Sequence, residues 1–225
     1  MMDRIRGRAL KELEDWSKDF RPLLVEREGE EAAEAILADA RQRLEAMLPT
    51  IPDPGWTAPH MRMFTLGGAI YVALHLALRE RGYDAAGSWS ICERATRAHF
   101  DRMSPSMRKL ASDGMFGWPM KVLSRWIGKK SHKEPVGGWV YDYVEGDGTF
   151  DYGVTYRRCA IRELAVAHGA ADFAPYICLA DVPGSETFGW GLVRTETIAQ
   201  NGTHCDFRFR RNGPTDVKVR LPTVA

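Results

Sequence analysis

The feature that most constrains this chain is a change of hydrophobic period at Lys129-Lys-Ser-His-Lys-Glu-Pro-Val-Gly-Gly138. Before it, apolar residues recur at helical spacing; after it, they alternate as strands do. The stretch between is polar, carries a proline and ends in two glycines, the composition of a boundary rather than of an element. The expectation is an α+β protein with a helical region over residues 1–135, a possible lid or interface, and an α+β domain over residues 136–225. At 225 residues, 44% of them apolar, the chain can close a sizeable core.

Helices are predicted in order along the first region. From Arg4 to Phe20, Ile5, Leu10, Leu13 and Trp16 fall near helical spacing among charges. From Gly29 to Met47, Ala32, Ile36, Ala40 and Leu44 form a stripe that ends before the proline-rich connector from Pro52 to Gly55. A third helix starts near Pro59 and stops at Gly82, where a glycine cap is expected. Within it, Met63 to Leu78 is apolar nearly all round, yet it has sixteen residues where a membrane span needs about 20. It therefore reads as a core helix. Ser90-Ile-Cys-Glu93 has the capping-box pattern and predicts a fourth helix to Met103, with Cys92 in its first turn. Ser104-Pro105 opens another, and Phe116 to Ile127 continues the helical region.

In the second region, Trp139 to Val144 and Phe150 to Tyr156 flank the glycine-bearing turn Glu145-Gly-Asp-Gly148. Two helices follow, one from about Arg158 and one from Asp172 to about Asp181. Gly189 to Ala199 and Thr203 to Arg210 then form a second hairpin around Gln200-Asn-Gly202. The order β-β-α-α-β-β predicts an antiparallel sheet of about four strands.

Charge and cysteine content narrow the partners. With 31 basic and 30 acidic residues the formal charge is +1, and no basic run is long enough to follow a nucleic-acid backbone. The cluster from Arg125 to Lys133 reads as a linker, so neither nucleic acid nor membrane is expected as a partner. Four cysteines in a chain with no N-terminal signal pattern point to free thiols and a cytoplasmic location. Self-association through the N-terminal helices is compatible with their amphipathic pattern.

Three of the cysteines fall between Gly148 and Arg210. Cys159 is expected in a first helical turn, where exposed N–H groups favour a thiolate. Cys178 and Asp181, three residues apart, are expected on one helix face, a thiol beside a carboxylate. In the last strand Cys205, Phe207 and Phe209 should face the core while His204, Asp206, Arg208 and Arg210 face away. Arg194 and Thr195 could hold a substrate carboxylate; alternatively Arg194 is a solvated residue paired with Glu196 or Asp206. Simple packing accounts for any one of these cysteines. His168 reads as a helix C-terminal residue and His75 as a core or pocket-lining one. No cofactor is expected, although zinc held by Cys159, Cys178 and Cys205 would be an alternative; no C-x₂-C pair supports it.

The series Asp151-Tyr-Gly153, Cys159, Pro175-Tyr-Ile-Cys178-Leu-Ala-Asp181, Arg194-Thr-Glu-Thr197 and Gly202-Thr-His-Cys205-Asp-Phe-Arg-Phe209 resembles the L-2-amino-thiazoline-4-carboxylic acid hydrolase family. The closing Cys-Asp-Phe-Arg-Phe stretch also resembles the end of small-molecule-binding V4R domains. The first resemblance implies a hydrolase acting on a non-peptide C–N bond of a cyclic amidine, opening an aminothiazoline carboxylate to an N-carbamoyl amino acid. On chemical grounds Cys178 or Cys159 would attack, Asp181 would assist, and Arg194, Thr195, Cys205 and Tyr176 would line the substrate site. The second implies a sensor that binds a small molecule or metal without turnover.

Overall fold

The computed structural model describes residues 2–54, 58–218 and 221. Among the described residues, six α-helices precede the first strand: α1 (Met2–Glu28), α2 (Glu30–Met47), α3 (Pro59–Arg79), α4 (Ala85–Asp101), α5 (Pro105–Phe116) and α6 (Trp118–Ser131). There follow β1 (Val140–Glu145), β2 (Tyr152–Arg158), α7 (Ala160–Ala167), α8 (Ala174–Ile177), α9 (Asp181–Phe188), β3 (Leu192–Arg194), β4 (Cys205–Phe209) and β5 (Asp216–Val217). The architecture is α+β, as the periodicity predicts.

α3 is the axis of the helical part. Leu66, Ile70, Leu74 and Leu78 recur every fourth residue and each is at most 1% exposed, burial that stabilises by about 1.5–3 kcal/mol per side chain. Its length and composition alone would let it cross a membrane, but 78% of that window is buried inside the protein. It ends where Gly82 takes φ +85°, a backbone state that glycine adopts without strain. α2 packs against it through Ala33, Ile36, Ala40 and Leu44, and α1 packs in turn on α2 and α4 through Ala9, Leu13, Phe20 and Leu24. Ala33, not Ala32, is the buried member of the α2 stripe. α1 also runs eight residues beyond the predicted end, with Pro22 inside it.

The start of α4 differs more. Asp84, not Ser90, is its N-cap, with the carboxylate accepting from Gly87 N at 2.7 Å. An earlier cap and a run of small residues extend the helix upstream, so Cys92 lies in its interior, fully buried, rather than in the first turn. α6 corrects the reading of the boundary. Arg125, Lys129 and Lys130 belong to this helix and not to a linker, and α6 runs alongside β1. Ser131 Oγ accepts from Tyr141 N at 3.1 Å, so the helix covers the edge of the sheet.

Among the described residues, the sheet has five strands in the order β1-β2-β4-β3-β5. β1, β2, β4 and β3 are antiparallel neighbours, and β5 pairs parallel to β3. The fifth strand escapes the sequence pattern because two residues carry no period. In register, Tyr152, Val154 and Tyr156 oppose Phe209, Phe207 and Cys205; alternation therefore puts these six side chains on one face. The predicted second helix is also divided: α8, a 3-10 turn over Cys178–Ala180, and α9, which continues to Phe188. Gly189 at φ +64° closes it.

Candidate active site

Asp181 opens α9, and its Oδ2 accepts from Arg194 Nη1 at 2.6 Å. Arg194 comes from β3 and is 1% exposed. Its second nitrogen, Nη2, donates to the carbonyl of Cys178 at 2.6 Å, and the guanidinium lies 4.9 Å from the Phe207 ring centroid. One arginine thus ties the 3-10 turn, α9 and β4 together. The expected single helix face for Cys178 and Asp181 is split between the 3-10 turn and α9, and Arg194 joins the two; the Cys178 thiol meets Thr197 Oγ1, in the segment that follows β3, at 3.4 Å.

Thr197 links two of the three sulfurs. Its hydroxyl stands 3.5 Å from Cys205 Sγ as well, and Ile198 N donates to that sulfur at 3.3 Å. Cys205 is buried on the predicted face of β4. Across the ladder from it, Tyr156 packs edge-on against Phe207 with centroids 5.3 Å apart. Cys159 is the N-cap of α7, and its sulfur accepts from Arg162 N at 3.5 Å.

The electrostatics oppose the expected thiolates. Burial pushes the Cys159 thiol well up, and the proximity of Cys178 adds to this; the backbone N–H groups of Arg162 and Ile161 offset little of it. Burial raises Cys178 to about 11 although Arg194 and the Thr197 hydroxyl pull it down. Cys205 rises for the same leading reason. Asp181 is raised above the ordinary carboxylate value of 3.8 by burial, against the lowering influence of Arg194. Burial works against the charge on Arg194, but Asp181 and then Cys178 more than offset it and leave its pKa raised.

Asp181 nevertheless keeps 38% of its side-chain surface accessible. Cys178, Cys159 and Tyr156 are likewise half-buried, and burial is the leading cause of each upward shift. Water reaches part of each of these groups while protein surrounds the rest. Tyr156 was not singled out by the sequence, although its place in the β2 alternation was a signal; the carboxylate of Asp181 and the thiol of Cys159 both act on its hydroxyl, which stays protonated.

Other expected members lie elsewhere. Arg194 is neither solvated nor free for a substrate carboxylate, because Asp181 and the Cys178 carbonyl occupy it; Glu196 and Asp206 are not its partners. Thr195 is exposed, and Asp206 takes both its N–H at 2.9 Å and its hydroxyl at 2.6 Å. It lines a groove of about 450 Å³ with Pro175, Thr197, Ala199, Gly202 and Lys218. Tyr176 belongs to the helical core, stacked on Phe173, which stacks in turn on His75 at 4.3 Å. His75 is a core residue bonded to Ser88 at 2.9 Å, and His168 is the C-cap of α7. Among the described residues no three His, Cys, Asp or Glu side chains are gathered to hold a metal ion.

Neither the functionally curated proteins nor the solved structures contain a match to this chain. A family model described as L-2-amino-thiazoline-4-carboxylic acid hydrolase matches residues 64–209, a span that runs from α3 to the end of β4 and contains Tyr156, Cys159, Cys178, Asp181, Arg194, Thr197 and Cys205. The chain belongs to the L-2-amino-thiazoline-4-carboxylic acid hydrolase family.

Proposed function

We propose that the protein hydrolyses a small cyclic amidine of the 2-amino-thiazoline-4-carboxylate class to an N-carbamoyl amino acid, with Cys178 as nucleophile and Asp181 as the group that handles its proton. The observation that carries this reading is an accessible carboxylate, Asp181, held by a buried arginine that also grips the backbone of Cys178. The family match supports the substrate class.

The chemistry follows from the pKa shifts. A thiol raised to about 11 is protonated at neutral pH and needs a base as it attacks. Asp181, raised by burial, is a stronger base than an ordinary aspartate. A protonated amidine beside the two groups would lower the thiol's pKa further by placing a positive charge next to it. Attack of Sγ on ring carbon 2 sends the thiol proton to Asp181. The bond from carbon 2 to the ring sulfur then breaks, and Asp181 returns the proton to that sulfur. This leaves an S-linked isothiouronium on Cys178. Water adds to the same carbon, Cys178 departs as a thiol, and the oxygen remains in the carbamoyl product. The bond that breaks is carbon to sulfur, not carbon to nitrogen, because both nitrogens stay in the product. Arg194 fixes the carboxylate's orientation and does not clamp the substrate. Four free cysteines fit a reducing, cytoplasmic setting.

The test is turnover of 2-amino-thiazoline-4-carboxylate with intact-mass analysis of the quenched enzyme. Asp181→Asn is expected to lose at least about 100-fold in kcat, and Cys178→Ala to lose both turnover and the mass adduct. Undiminished turnover by Cys178→Ala would remove the covalent step, and by Asp181→Asn the site. The upward shift of all three thiols favours a second reading, a binding domain with thiol-lined walls; saturable binding without turnover by the unmodified protein would select it.

A further inference from the structure

Among the described residues, the most exposed of the large apolar side chains lie in α5 and α6. Trp118 is 76% exposed, Val122 50% and Trp126 49%, and their spacing of four residues sets them on one ridge of α6. At 1.5 Å per residue the ridge spans roughly 12 Å. The opposite face of α6, with Ser124, Ile127 and Gly128, is buried. The preceding helix adds Met107 at 55% and Leu110 at 72% exposure. Such aromatic and aliphatic area facing water needs a cause.

The charge on the same helix names the kind of partner. α6 carries Lys121, Arg125, Lys129 and Lys130 and no acidic residue, in a chain whose formal charge is only +1. Lys129 and Lys130 are exposed at the end of the ridge, and the Lys130 ammonium lies 5.6 Å from the Trp126 ring centroid. An apolar ridge with tryptophans, flanked by cations, matches the interfacial zone of a bilayer with anionic headgroups. A second copy fits less well. A twofold pairing of this face would bring the exposed Lys129 and Lys130 of one copy toward those of the other, with no acidic residue on the helix to offset them. Nucleic acid fits less well too, since Val122, Met107 and Leu110 offer nothing to phosphates or base edges.

We propose that the outward face of α6, with its exposed tryptophans and terminal lysines, docks the protein on an anionic phospholipid surface. α6 is both the cover of the β1 edge and the anchor. The binding is peripheral and reversible: the ridge inserts only side chains, and the lysines supply the preference for anionic lipid. This assignment stands independently of the reaction proposed above.

The full chain is tested by co-sedimentation with vesicles of phosphatidylcholine alone and of phosphatidylcholine mixed with phosphatidylserine. Sedimentation with the mixed vesicles only, weakening as salt is raised, is the expected result. Trp118→Ser/Trp126→Ser should abolish it, and Lys129→Gln/Lys130→Gln should weaken it about fivefold per charge. All four side chains are exposed, so the thermal midpoints should match that of the parent; if the tryptophan variant is destabilised, the lysine variant decides. Absence of binding to mixed vesicles, or variants that bind like the parent, would overturn the proposal. So would concentration-dependent dimers that the tryptophan variant loses, or tighter binding to a single-stranded oligonucleotide than to mixed vesicles.

Discussion

Arg194 Nη1 and Asp181 Oδ2 are 2.6 Å apart, yet the two side chains live in different surroundings: the arginine is 1% exposed and the aspartate 38%. The pair is therefore asymmetric in what each partner loses when the other is removed. Without Asp181, a fully enclosed guanidinium has no counter-charge. Without Arg194, the carboxylate can take up water or a proton.

Asp181→Ala is accordingly expected to destabilise by about 3–5 kcal/mol, and Arg194→Met by less. Chemical denaturation of both variants checks this. Equal losses would mean that the arginine's own packing on Phe207 matters more than its charge.

The pH dependence has a sign. The Asp181 carboxyl is raised above 3.8, so a reaction that needs it ionised should fail at a higher pH than that value, as acid protonates it. Arg194 holds the carboxyl down, so Arg194→Met should shift the acid limb of kcat/KM to higher pH. A raised folded pKa also contributes stability that is fully present below 3.8 and lost as pH rises through the folded value. The stability deficit of Arg194→Met should therefore grow with pH. An unmoved acid limb would assign that ionisation to another group.

Thr197 makes a prediction about reactivity. Its hydroxyl lowers the Cys178 pKa from where burial alone would put it. Thr197→Val should reduce the thiolate fraction and slow alkylation of Cys178 by iodoacetamide at any fixed pH below about 11, whereas Thr197→Ser should leave it unchanged. The valine variant should also cost about 1 kcal/mol for the lost hydrogen bonds. Faster alkylation in both variants would show that access, not ionisation, limits the thiol.

Adjacent glycines in α3 should respond in opposite ways. A Cβ on Gly68 would come within 2.6 Å of the Ile161 side chain, whereas one on Gly67 would meet nothing within 4 Å. Gly68→Ala should destabilise by about 1–3 kcal/mol by overpacking the α3–α7 contact. Gly67→Ala should stabilise by up to about 1 kcal/mol through helix propensity. Thermal melts of the two variants give the comparison directly.

The legibility of this protein in its sequence follows its periods. The core stripe of α3, the fourfold spacing in α2 and the alternation that puts Cys205, Phe207 and Phe209 on one face were readable because each repeats a local geometry. Where two local signals competed, one had to lose: Asp84 displaced the Ser90 capping box. Where a strand has two residues, as β5 does, there was no period to read.

The site divides in the same way. The three-residue spacing predicted Cys178 and Asp181 on one face of a single helix; the structure divides that helix, and Arg194 binds to both parts. Sequence alone could not say that Arg194 would be enclosed and spent on Asp181 and a carbonyl, that Thr197 would bridge two sulfurs, or that Tyr156 would face Cys205. Those pairings join residues far apart in the chain, and burial, not neighbours in sequence, sets the pKa of each thiol. Local order fixed which groups each element presents; only the packing of β3 and β4 against α9 decided which of them meet, and in how little water.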